Sequence, residues 1–331
     1  MEGNIRSAVR AVYETMRQGM ATGNEHPYPG RPSNGGTARP TNGHGPVGAV
    51  PHPAPAGPPP AAQPPPHLQL DDRVQLHLDD GFDPRFIERV APLFEFLWSR
   101  YFRVQLSGMG NIPTSGPALV VSNHSGGLPY DGAMLIYALH RDHPRHRALR
   151  PLVASFAFRS SWIRPVIQAI GGVPASMENA LGLLARGDLV GVFPEGLRGV
   201  GKLYRQRYRL EHFGRGGFVR LARTAGVPIV PVAIVGAEEI HPVLTKLTRV
   251  AQPLGLPYIP ITPTFPLLGP LGLLPVPTKW SIRVGEPIEV PPPTDGPESH
   301  DDTLKIAEAV RQRMDGMIAE LLVQRRSILF G

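Results

Sequence analysis

The chain has 331 residues, enough for one large domain or two small ones, and its 41% hydrophobic content allows a real core. It holds no cysteine, which excludes a disulfide framework, a thiolate metal site and a cysteine nucleophile. The net charge of +7, carried mostly by Arg, admits an anionic membrane, a nucleic acid or a phosphate-bearing co-substrate and does not choose among them.

Residues 1–20 set Ile5, Val9, Val12 and Met16 at helical spacing with Arg6, Arg10 and Arg17 between them, which predicts a short amphipathic helix. There is no apolar signal-peptide core, so a cytoplasmic location is expected. Residues 21–68 are dominated by Pro, Gly, Ala and Asn and predict a disordered linker, because such a segment buries too little apolar surface to offset its ordering entropy. His44, His52 and His67 within it lack metal-site spacing. The ordered domain is expected over 69–331.

Between 83 and 105, Phe86, Val90, Leu93, Phe94, Leu97, Trp98, Tyr101 and Phe102 recur at three and four, giving a helix with one broad apolar face. That face either packs on the domain or enters a membrane interface. From 117 onward strands (117–122, 151–155, 188–193, 228–235, 280–284) alternate with helices (129–139, 161–169, 176–186, 215–225, 301–326). Such alternation predicts an α/β domain, a largely parallel sheet flanked by helices.

Residues 251–278 interrupt the pattern with no charged residue and many prolines. The length would allow a span of ~20 apolar residues. Proline excludes a regular helix, and lipid excludes an irregular one, since every backbone polar group there needs an internal partner. An apolar loop follows, either covering the domain or dipping into one leaflet. No other span is read, so any membrane contact is expected to be peripheral or monotopic.

Four blocks could carry chemistry. In the first, Asn123-His124 follows the apolar run 117–121 and precedes Gly126, Gly127, Pro129 and Asp131. A His at a strand end before a helix start, with a carboxylate near it, suits proton removal from a hydroxyl. Taken alone, it is equally a loop His and an Asp favouring a helix dipole. The second block is Gly171 to Ser176. The third, Phe193-Pro194-Glu195-Gly196-Leu197-Arg198, ends a strand with a carboxylate and a guanidinium three apart, a clamp for a polar head group or a local ion pair. The fourth is Val227 to Val232. Basic residues crowd near the first and third blocks: Arg141, Arg145, Arg147, Arg150, Arg159 and Arg164, then Arg198, Lys202, Arg205, Arg207, Arg209 and Arg215. They suggest a phosphate-rich ligand or an anionic lipid surface, or a solvated face. A Gly-x-Ser-x-Gly elbow, a Walker loop and a dinucleotide fingerprint are all missing, as is a nucleic-acid recognition module.

In order, the four blocks resemble those of the glycerolipid acyltransferase family, which includes lysophosphatidate acyltransferases. The resemblance covers roughly residues 85–290. Two departures stand out. Six residues separate His124 from Asp131 where the family usually has four, a form that looks like its neutral-lipid branch acting on mono- or diacylglycerols. Ser176 stands where phosphate-acceptor members carry an Arg. The resemblance implies acyl transfer from acyl-CoA or acyl carrier protein to a lipid hydroxyl, without metal or resident cofactor. It implies His124 as base and Asp131 as its partner. It implies backbone N–H groups near Gly126 and Gly127 as oxyanion donors, and Glu195, Gly196, Arg198 and Ser176 as substrate contacts. A hydrolase and a non-catalytic lipid-binding protein are the rivals. The Arg clusters and the uncharged loop 251–278 lead to the expectation of peripheral contact with an anionic membrane; no nucleic-acid partner is expected, and the oligomeric state is left open.

Overall fold

The computed structural model describes residues 81–124, 130–159, 161, 163–196, 199, 201–214, 216–247, 249, 259–291 and 300–329. The predicted N-terminal helix and Pro-rich linker lie outside these residues.

The first described element, α1 (Pro84–Phe96), is started by Asp83, whose carboxylate accepts from the Arg85 N–H, with Pro84 in the first turn where no N–H partner is lost. A π-helical turn over Leu97–Tyr101 closes it. Of the two expectations for this face, packing is the one observed. Ile87, Trp98 and Phe102 are buried, and Phe94 and Trp98 meet Tyr137 with ring centroids 5.7 and 5.9 Å apart. Leu93 and Phe96 stay exposed.

The sheet has seven strands: β1 (Gln105–Ser107), β2 (Ala118–Ser122), β3 (Leu149–Val153), β4 (Val173–Pro174), β5 (Leu189–Val192), β6 (Ile229–Val235) and β9 (Ser281–Val284). Their order is β1-β9-β6-β2-β5-β3-β4. Every pairing is parallel except β6 with β9. The helices α2 (Tyr130–Asp142), α3 (Arg164–Ala169), α4 (Met177–Ala185) and α5 (Gly217–Ala225) occupy the crossovers, and α6 (His300–Gln324) follows β9.

β2 and β6 are buried throughout, so they read as continuous apolar runs rather than alternating ones. The alternation exists in space. Ala118 and Val120 face one core layer with Met134, Leu135 and Trp280, while Leu119 and Val121 face the other with Leu183, Phe218, Val219 and Val310. Ala233 and Val235 of β6 meet Met317, Ile318 and Leu321, a stripe at three and four along α6.

One of the predicted elements shifts for a local reason. The helix expected over 161–169 begins at Arg164, because Pro165 fits a first turn, and a 3₁₀ turn (Ser155–Arg159) precedes it. The Gly171–Ser176 block, which alone reads as turn or strand, holds the short edge strand β4. β7 (Thr245–Leu247) and β8 (Ile259–Ile261) pair as a small antiparallel sheet beyond β6. β8 falls inside the predicted apolar loop 251–278, of which residues 251–258 lie outside the described ones; beyond β8, Leu267, Leu268, Leu271 and Leu274 are each more than half exposed. Among the described residues no helix is long and apolar enough to cross a membrane.

Candidate functional site

β2 and β6 end side by side, and the chain after β2 is clamped at once. Asn123 is fully buried; its Nδ2 donates to the Ile234 carbonyl at 2.9 Å and its Oδ1 accepts from the Ile234 N–H at 2.8 Å. One side chain thus replaces a backbone unit and extends the ladder to β6 by one step. His124 follows, released from the sheet but fixed at three points.

The imidazole supplies the first. His124 Nδ1 lies 2.7 Å from Asp131 Oδ2, and Asp131 Oδ1 accepts from the Gly132 N–H at 2.8 Å. The Asp131 side chain is fully buried at the start of α2, while the His124 side chain keeps 18% exposure. The second point is Phe193, whose ring centroid lies 4.8 Å from that of His124. The third is the backbone: the His124 N–H donates to Glu195 Oε1 at 2.9 Å. Gly199 lets these parts approach, since a Cβ there would stand 2.8 Å from the Glu195 Cβ and 3.2 Å from the His124 Cβ.

Behind Glu195 lies a buried polar chain. Its Oε2 accepts from the Glu211 N–H at 3.0 Å and lies 2.9 Å from Lys202 Nζ. Lys202 reaches Glu238 Oε1 at 2.9 Å and the Arg209 carbonyl at 3.2 Å, and Glu238 Oε2 accepts from the Tyr208 N–H. Next to it, Glu239 pairs with Arg325 of the C-terminal segment at 2.6 Å. Tyr208 adopts φ +64°, a left-handed conformation costly for a bulky residue, and its hydroxyl takes the Gly236 N–H at 3.0 Å.

Burial of the His124 ring disfavours its charge, but the charge and hydrogen bond of Asp131 outweigh that. Glu195 adds to the rise and Lys202 subtracts, and the net shift is upward from the ordinary imidazole value. Burial works against the charge of Lys202 as well, yet Glu238 and Glu195 hold its pKa above the usual amine range.

The structure therefore brings His124, Asp131 and Glu195 together and places the other sequence-predicted residues differently. Gly126, Gly127 and Arg198 lie outside the described residues. Gly196 sits exposed at φ +52°, and a Cβ there would meet nothing. Ser176 caps α4, its Oγ accepting from the Asn179 N–H at 3.1 Å. It stands beyond β4, three strands from β2, which at ~4.8 Å per strand is roughly 14 Å away. Sequence reasoning gave no role to Asn123 or Glu238 and counted Lys202 among the surface cations. The acidic pair Glu238-Glu239, separated by two residues from the end of a seven-residue apolar strand, was the available signal.

Much of the Arg-rich composition is also internal. Arg150, 1% exposed, donates to the Gly171 carbonyl and lies over Phe82, and Gly171 at φ +80° leaves the space a Cβ would take from it. Arg147 donates to the carbonyls of Pro113 and Gly187.

The chain is similar to several known proteins. An uncharacterised protein of Mycobacterium tuberculosis is 47% identical over 256 residues, spanning 76% of this chain and 71% of that one. The human "DGAT1/2-independent enzyme synthesizing storage lipids" is 25% identical over 237 residues, 69% of this chain and 67% of that one. The sheep 1-acyl-sn-glycerol-3-phosphate acyltransferase alpha is 32% identical over 144 residues, 42% of this chain and 47% of that one. The crystal structure of the 1-acyl-sn-glycerophosphate acyltransferase of Thermotoga maritima superposes with a TM-score of 0.47 and 20% identity, covering 73% of this chain and 80% of that one. Residues 103–235, from the end of α1 to the end of β6, match the family described as Acyltransferase, and with the order of blocks around His124 this establishes that the chain belongs to the acyltransferase family.

Proposed function

We propose that the protein moves a fatty acyl group from an acyl thioester, acyl-CoA or acyl carrier protein, to a hydroxyl of a glycerolipid, with His124 as general base. The observation that carries this is the 2.7 Å contact of His124 Nδ1 with a fully buried Asp131. An ionised carboxylate only accepts, so the neutral imidazole carries its proton on Nδ1, which leaves Nε2 as the basic nitrogen. Nε2 takes the hydroxyl proton as the acceptor oxygen attacks the thioester carbonyl. The carbon–sulfur bond of the tetrahedral intermediate then breaks, and the proton passes to the leaving thiolate. Backbone N–H groups near Gly126 and Gly127, with Arg198, are assigned to the oxyanion and to substrate binding on the family resemblance alone. Glu195 is assigned to positioning, since its carboxylate is fully buried and accepts from protein donors.

The acceptor belongs to the glycerolipids that the names of two relatives point to, storage lipid in one and 1-acyl-sn-glycerol-3-phosphate in the other. Incubation with labelled acyl-CoA and a panel of lysophosphatidate, monoacylglycerol, diacylglycerol and a long-chain alcohol tests the reading. A labelled ester with one acceptor is expected. Release of free fatty acid at the same rate with and without acceptor would make the protein a hydrolase.

Such substrates reside in bilayers, and exposing each CH₂ of an acyl chain to water costs ~0.8 kcal/mol. The leucines of the loop support peripheral contact with a membrane, because an exposed apolar cluster of this kind marks an interaction surface. Replacing Leu267, Leu268, Leu271 and Leu274 with Ser is expected to reduce salt-resistant vesicle flotation and long-chain turnover while sparing short-chain turnover. A parallel fall of short- and long-chain turnover would assign the loop to the fold.

A further inference from the structure

The mechanism leaves the buried cation beside Glu195 unused. Lys202 is 4% exposed at its side chain and stands between two carboxylates, 2.9 Å from Glu195 Oε2 and 2.9 Å from Glu238 Oε1. Such a site is not a surface ion pair. Two carboxylates buried this closely cannot both remain ionised without a cation between them, and a lysine here without them would lose its proton. The three groups form one unit through these contacts.

Its position gives the unit a task. Among the described residues, Glu195 is the member that touches the catalytic segment, through Oε1 on the His124 N–H. The carboxylate could rotate about its last bond and trade its two oxygens, but Oε2 is held by the Lys202 ammonium and the Glu211 N–H. Lys202 in turn is tied to the turn after β6 through Glu238, and Glu238 is tied to Tyr208 through its other oxygen. The same β6 anchors Asn123 through Ile234. Residues 123 and 124 are thus referred to one strand by two routes, a direct amide clamp and an ionic chain.

We propose that Lys202, together with Glu238, is a positioning residue for His124, fixing the rotation of the Glu195 carboxylate and through it the His124 backbone. This rests on the acyl-transfer reading for its effect on rate, but its geometry does not depend on it. Removal of Lys202 frees the Glu195 carboxylate to turn, and His124 then samples orientations in which Nε2 misses the acceptor hydroxyl. Such a loss falls on kcat, because no group that touches substrate has changed.

Two measurements test it. The first needs no turnover: amide hydrogen exchange at His124. In the wild-type protein the His124 N–H should exchange as slowly as the amides of β2. Exchange at the rate of an open loop amide would overturn the proposal before any variant is made. The second compares wild type with Lys202→Met and with Lys202→Met/Glu238→Gln, the double change avoiding an unbalanced carboxylate should the single variant not fold. Exchange at His124 is expected to speed up tenfold or more while the amides of Leu119 to Val121 are unchanged. At the same time kcat should fall at least tenfold and KM stay within twofold. Unchanged exchange at His124, or a rise in KM with kcat intact, would overturn the proposal. A wild-type protein that transfers no acyl group defeats the reaction reading, while the exchange data still decide the role of Lys202.

Discussion

The two sides of His124 are built by different means. On its imidazole side the partner is Asp131, seven positions on, at the start of the next helix. On its amide side the partners come from far along the chain: Ile234 through Asn123, and Glu195, Lys202 and Glu238 through the His124 N–H. The local side supplies most of what raises the pKa of the ring, with smaller and opposed contributions from Glu195 and Lys202. The distant side sets where the ring stands. Chemistry and placement are thereby separated, so substitutions on the two sides should fail in different ways.

The largest effect is expected from His124→Ala, which removes what both sides serve. A loss of about 10²–10⁴-fold in kcat is the usual contribution of a general base. The thermal melt should be unchanged, because the ring is partly exposed and its loss opens no core cavity. Activity within tenfold of wild type would remove His124 from the mechanism and dissolve the comparison.

Asp131→Asn cuts the imidazole side alone and should cost less, since the base remains. Its signature is in pH. A base works unprotonated, so the acid limb of the rate profile follows the His124 pKa, which the fold raises above its ordinary value. Asp131 is what outweighs burial there, so the variant should move that limb to lower pH while the plateau falls. An acid limb that stays in place would mean another group titrates.

The two sides were unequally legible in the sequence. His124 and Asp131 fall within one short Gly-rich stretch between an apolar strand and a helix start, and a local pattern of that kind can be read from spacing. The central strands were visible for the same reason, as apolar runs bounded by turns. The amide side joins positions 71 and 114 residues apart from His124, and no local period records them. Lys202 sits within a run of arginines and reads there as one more solvated cation; only its burial between carboxylates separates it. The edge strands β1 and β4 were missed because three or two residues cannot show a period of two.

Asn123→Ala breaks the amide side without touching a titrating group. It leaves the Ile234 N–H and carbonyl buried without their partner, each costing about 1–3 kcal/mol. Stability should therefore fall by about 2–5 kcal/mol, several degrees in the melt of a domain this size. At a temperature where the variant is folded, its pH profile should keep the wild-type acid limb with a lower plateau. A shifted limb would show that placement and protonation are coupled, against the division drawn above.

The smallest effect separates Ser176 from both sides. The family resemblance sets it where phosphate-acceptor members hold their substrate, whereas the structure shows its Oγ capping α4 through the Asn179 N–H, beyond an edge strand. A cap of this kind contributes about 1 kcal/mol, and replacing Ser by Ala typically removes most of it. Ser176→Ala should thus lower the melt by a few degrees at most and leave kcat and KM within twofold for every acceptor in the panel. Ser176→Asp keeps the cap and adds a charge favourable at a helix start, so it should restore stability. If the serine instead contacts the acceptor, the pattern inverts: Ala would raise KM with little change in the melt, and Asp would raise it further for a phosphorylated acceptor by like-charge repulsion. Measuring both variants against lysophosphatidate and monoacylglycerol therefore decides whether the acceptor reaches as far as β4 or stays beside His124 at the end of β2.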